Sequence, residues 1–182
     1  MVLKKILFTI FLLCVASMSY AQDCILIPSI SLCGVPITAT RTQFVKVLGN
    51  PDGLINMGPD RVGLLYGQRL ILIFWHEKLW QTHAWETHSN IDFWSYVRNQ
   101  EVRNSLRLKF KNWSPWGLSR KEIAQNAKTL PVVDEDEYSE IRRADKDTLS
   151  VYYKPTAINM DDPNIYQVDH IKVTFGVTPH EP

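Results

Sequence analysis

The stretch Ile37–Asp52, ITATRTQFVKVLGNPD, decides how the rest of the chain is read. Thr40 followed three residues later by Gln43 is a capping-box pattern, in which hydroxyl and amide satisfy donors that a helix start leaves open. Behind it Phe44, Val45, Val47 and Leu48 form one turn-spaced apolar face. Gly49 supplies the conformation that ends a helix, and Asn50-Pro51-Asp52 cannot continue it. The stretch therefore predicts a short capped helix.

Downstream, Leu54 to Arg61 carries Gly58, Pro59 and Asp60 and reads as a loop. Val62–Tyr66, Leu70–Trp75 and Leu79–Trp85 are β-rich runs broken by turn residues, the pattern of an antiparallel meander. A loop or tight turn over residues 76–79 places Trp75 opposite Trp80. Alternation then puts Ile71, Ile73, Trp75, Trp80, Thr82, Ala84 and Glu86 on one face and Leu70, Leu72, Phe74, His83 and Trp85 on the other. Upstream, Ile25 to Cys33 is a β-rich lead-in, and Gly34-Val35-Pro36 turns it into the helix.

A second helix start follows the same grammar. Leu106–Trp113 alternates as a half-exposed strand, with Leu106, Leu108 and Phe110 inward. Ser119 with Glu122 caps a helix over Arg120–Leu130, and Pro131 ends it. Asp134–Glu137 reads as an acidic loop, and Tyr138–Ala144, Thr148–Lys154 and Tyr166–Gly176 as three strands. Cap to proline is 11 residues in the first half and 12 in the second. This parallel predicts an α+β fold of two tandem helix-plus-meander units, residues 22–105 and 106–182, with a linker or helical insertion near 87–105. The expected architecture is a curved antiparallel sheet with short helices packed on one side.

The N-terminus predicts a compartment. Lys4 and Lys5 precede an apolar run from Ile6 to Val15, and Ser19-Tyr20-Ala21 matches a small-x-small cleavage pattern. The run is shorter than the ~20 residues a membrane-spanning anchor needs, so residues 1–21 read as a signal peptide cleaved before Gln22. Neither Cys14 nor Cys24 has the small preceding residue of a lipid-acceptor site. Loss of Lys4 and Lys5 takes the formal charge from +1 to −1, which argues against nucleic acid or an anionic membrane as partner. Cys24 and Cys33 remain. In a straight strand they would lie roughly 30 Å apart; a reversal at Pro28-Ser29 would let them bond, so the pairing is left to the geometry.

The motif Thr40, Gln43, Phe44, Leu48, Gly49, Pro51 and Asp52, followed by a meander, resembles small exported α+β units of the β-lactamase-inhibitor-protein type. It is also similar to the small outer-membrane lipoprotein that assists β-barrel assembly, and to two-repeat exported bacterial proteins with the same LG-x-P-D turn. The resemblance implies helices on one side of a curved sheet and non-enzymatic protein binding on the other.

No chemistry-bearing motif competes with that expectation. His76, Glu77, His83, Glu86 and His88 have the side chains of a zinc site, but strand spacing keeps His76 and His83 roughly 13 Å apart. No nucleophile elbow, metalloprotease helix, phosphate loop or dinucleotide fingerprint is present, so neither catalytic residues nor a cofactor is assigned. All six tryptophans lie between positions 75 and 116. Core packing is one use for them. The other is an exposed platform of Trp75 and Trp80 with Thr82 and Glu86, joined by Trp85 of the same hairpin, a composition suited to protein hot spots or to sugar stacking. Charge is uneven too: residues 98–111 carry a local +4 and residues 134–147 a local −4. The expected function is binding of an envelope or secreted protein as inhibitor, immunity-type or assembly factor. A glycan or peptidoglycan module is the alternative, and a hydrolase of unrecognised type the third.

Overall fold

The computed structural model describes residues 22–87, 106–155 and 166–176. The expected leader over 1–21, nearly all of the expected insertion near 87–105 and most of the 155–165 connection lie outside them. The chain is mixed α+β and mostly strand. β1 (Gln22–Ile27), β2 (Ser31–Leu32) and β3 (Val35–Pro36) lead into α1 (Arg41–Leu48). β4 (Gly53–Asn56), β5 (Arg61–Tyr66), β6 (Leu70–Trp75) and β7 (Lys78–Trp85) follow. Then come β8 (Leu106–Phe110), α2 (Arg120–Asn126), β9 (Val132–Glu135), β10 (Ser139–Ala144), β11 (Asp147–Pro155) and β12 (Tyr166–Thr174).

Both helices start as their sequences dictate. Thr40 and Ser119 each accept from the N3 backbone N–H while Gln43 and Glu122 reach back to the cap. Gly49 ends α1 at φ 83°, a positive angle glycine takes without steric cost, and its N–H donates to the Val45 carbonyl at 2.9 Å. α2 stops at Asn126, four residues before the expected Leu130. There the buried Arg142 guanidinium donates to the carbonyls of Ala127 (3.4 Å) and Leu130 (2.9 Å), so the chain leaves the helix with its last acceptors satisfied.

The strands form two sheets. The larger has the order β4-β5-β6-β7-β12-β11-β10-β9 and is antiparallel throughout; the smaller has the order β3-β2-β1-β8. Three expectations are corrected. Residues 53–56 are a strand rather than loop, because Gly53 to Asn56 pair with Leu65 to Val62. The acidic loop begins as strand, with Glu135 and Asp134 opposite Glu140 and Ile141. And β1 pairs with β8 in parallel, Gln22 opposite Leu106 through Leu26 opposite Phe110, an exception to the antiparallel sheet that was expected.

The turn at Pro28–Ile30 does fold the lead-in back. Leu26 faces Leu32, the Cys24 and Cys33 Cα atoms lie 4.3 Å apart, and the two residues form a disulfide. Ser29 ties this turn to the β10–β11 turn, its N–H donating to Asp147 at 2.7 Å and its hydroxyl to the Ala144 carbonyl at 3.1 Å.

One core lies between the sheets and beneath the helices. Leu26, Leu32 and Leu108 meet Leu64, Leu72 and Phe74 of the first meander, Val151 and Ile171 of the second, and Phe44 and Ile123 from the two helices. The opposite face of the large sheet carries a second cluster of Ile55, Leu65, Ile71, Ile73 and Trp85, with Trp80 packed against it.

Candidate functional site

The β6–β7 hairpin organises the site. Its two-residue turn is His76-Glu77, both left-handed, at φ 44° and 66°. Hairpins want this mirror-image turn because it matches strand twist, but Asn-Gly is the pair that adopts it cheaply. His and Glu held there cost on the order of 1–3 kcal/mol each. Neighbouring backbone holds them in place: the Arg41 N–H donates to the Glu77 carbonyl and the His76 N–H to the Asp60 carbonyl, both at 3.0 Å. Thr40 bridges Lys78, so the N-terminus of α1 is fastened to the hairpin tip.

This turn corrects the hairpin register. Trp75 faces Lys78 rather than Trp80, and Phe74 faces Leu79; a bulge then shifts the pairing, so that Ile73 faces Gln81 and Leu72 faces Thr82. The extra residue moves Thr82 and Ala84 to the inner face and brings His83 and Trp85 to the outer one. Trp80 packs on the outer cluster, and alternation keeps Trp75 on that side. Thr82 leaves the expected platform: it is fully buried, its hydroxyl donating to the Ile71 carbonyl at 3.0 Å. Trp85 is 6% exposed, a wall rather than a contact surface. Glu86 sits at the far end of β7, 4.0 Å from Lys154, which also pairs with Asp169 at 2.5 Å.

What remains accessible gathers at the tip. Trp75 and Trp80 are half-buried. The Arg61 guanidinium lies 5.2 Å from the Trp80 ring centroid, and the Trp75 and His76 rings are 4.7 Å apart. Beside them opens a cleft of about 720 Å³, with Leu54, Val62 and Phe74 among its apolar lining and Arg41, Asp60, Arg61, His76 and Glu77 among its polar lining. Arg41 pairs with Glu77 at 2.5 Å and His76 with Asp60 at 3.5 Å. Arg61 has no ion-pair partner among the described residues. Set over an indole, its guanidinium is placed to make a cation–π contact while its N–H groups stay able to donate.

At the other end of the outer face a ring ladder crosses three strands. Tyr152 stacks on His170 (4.8 Å, 12°) and His170 on Trp85 (4.6 Å, 4°). His83 Nδ1 lies 3.1 Å from His170 Nε2. Burial, and then the Lys172 charge, lowers the His83 pKa to about 4. Burial, and then His83, does the same to His170, with Asp169 pulling the other way.

The residues of the considered zinc site are thus dispersed. His76 is paired with Asp60 and His83 with His170, and His88 lies outside the described residues. Among the described residues no group of three or more His, Cys, Asp or Glu side chains could hold a metal ion. Arg61, Tyr152 and His170 were not singled out from sequence. Their roles depend on pairings across strands far apart in the chain, for which local pattern carries no signal. The His76-Glu77 turn carried no signal either, since neither residue is one that a two-residue hairpin turn favours.

No protein-family model and no curated protein matches the chain. Among solved structures it is similar to a cysteine-rich secretory protein from Staphylococcus aureus, at 12% identity and a TM-score of 0.38 over 85% of this chain. It spans about half of that protein, 50% of its length. Likeness at that level carries no argument about function.

Proposed function

We propose that this chain acts outside the cytoplasm as a non-enzymatic binding protein, and that the tip of the β6–β7 hairpin docks a protein of the cell envelope or a secreted protein. One observation carries the reading: Trp75, Trp80 and Arg61 converge, partly accessible, on a strained turn beside a charged cleft. Tryptophan and arginine dominate protein hot spots, and a strained turn fastened by its neighbours is pre-organised. The Cys24–Cys33 disulfide is compatible with an oxidising compartment, in keeping with the leader-like N-terminus. We also infer that the two halves arose by duplication. In support, each runs from a capped helix into four strands, and the two meanders meet through their last strands, β7 and β12.

The test is capture from envelope extracts with purified residues 22–182, alongside pelleting with peptidoglycan. A stoichiometric protein partner, lost in Trp80→Ala and Arg61→Ala but kept in Thr82→Val, is the expected result. Cosedimentation with cell wall and no protein partner would replace this reading with the glycan one, which Arg61 covering one Trp80 face disfavours. Circular dichroism of each variant separates lost docking from lost folding.

A further inference from the structure

The large sheet is continuous because β7 pairs with β12, from Gln81 opposite Thr174 to Trp85 opposite His170. On the inner side this seam is sealed by Thr82, Ala84, Ile171 and Val173, all buried. On the outer side it is closed by the His83–His170 contact at 3.1 Å. Two imidazoles share that contact as N–H···N when one, and only one, of the facing nitrogens carries a proton; once both are protonated, two donors confront each other. The surroundings add to the conflict. Lys172 is the strand partner of His83. The nearby anions, Asp169 and Glu86, both lie against Lys154. Trp85 from β7 and Tyr152 from β11 stack on His170 and bring no formal charge.

We propose that the His83–His170 pair is an acid-sensitive latch on the seam between the two halves of the large sheet, and that its double protonation frees the Trp85 end of β7 from β12. The inner face stays anchored by core residues, so release starts on the outer side. The burial and Lys172 charge that hold both histidines neutral well below their ordinary range place the event in acid.

Hydrogen exchange on residues 22–182, with rates corrected for intrinsic pH dependence, tests it. Between pH 7 and pH 4, protection of β7 and β12 amides is expected to fall by about ten-fold or more relative to β5 and β6, a one-pK-unit effect. His170→Gln and His83→Gln are expected to abolish that difference. An equal loss across all four strands, or the same seam-specific loss in both variants, would overturn the proposal. An NMR titration of the wild-type histidines needs no variant: independent titration of the two near pH 6.5 would also sink it.

Discussion

Arg142 and Glu140 carry the sharpest consequence of any two residues. The pair is buried on the core side of β10, with Nε 2.7 Å from the Glu140 carboxylate and side-chain exposures of 5% and 1%. Removing one partner strands the other charge without solvent. Glu140→Ala is therefore expected to cost about 3–5 kcal/mol in urea unfolding. Replacing both, as Glu140→Leu with Arg142→Met, removes the charge problem but orphans the Ala127 and Leu130 carbonyls. A residual loss of about 1–3 kcal/mol should remain. Thr82→Val, deep in the same core, should change stability by no more than about 1 kcal/mol, the worth of one hydrogen bond offset by a methyl. None of this was legible from the chain, where Glu140 and Arg142 look like surface charges in an acidic stretch. Their burial follows from the chain just past α2, whose Ala127 and Leu130 carbonyls meet Arg142.

At the scale of elements, what can be read locally was read. Both capping boxes form, and Ser119→Ala is expected to cost about 1 kcal/mol by thermal melting. The failures share a physical cause. β4 and β9 are four-residue strands bounded by turn-formers, so their propensity is outweighed locally and restored by pairing with β5 and β10. The hairpin misregistered because its turn uses residues that turn rules disfavour. Replacing His76-Glu77 with Asn-Gly should therefore raise stability by about 2–4 kcal/mol for the two positions, less the few tenths that the exposed Arg41–Glu77 pair contributes. If the tip is the docking site, capture of the partner should fall in the same variant. β9 exposes Val132 and Val133 at the edge of the large sheet, yet it is short, follows Pro131, bears Asp134 and Glu135, and is bulged against β10. Those are the devices that keep an edge from recruiting another strand.

For the molecule as a whole, two quantities follow. The Cys24–Cys33 bond closes a loop of sequence separation 9. Replacing both cysteines with alanine should lower stability by about 2.5–3 kcal/mol on the chain-entropy account. Both seam histidines bind protons less readily folded than unfolded, with pKa values depressed from 6.5 to about 4. Unfolding thus takes up protons between those values. Their contribution to stability is intact above pH 6.5 and is lost as the pH falls toward 4, at up to about 2.7 kcal/mol per pH unit for two protons; His83→Gln should flatten that slope. The α+β class, both helices and the six longer strands of the meanders were visible in the chain, while the pairing of β7 with β12 and the parallel β1–β8 pair depended on contacts distant in sequence. That pair has a temporal side. Gln22 waits for Leu106, 84 positions later, before β1 gains its second neighbour. A chain emerging from its N-terminus must therefore carry β1 with one side open until β8 arrives. High contact order of this kind slows folding, so refolding from urea should be slow, and residues 22–87 alone should not settle into a cooperative fold.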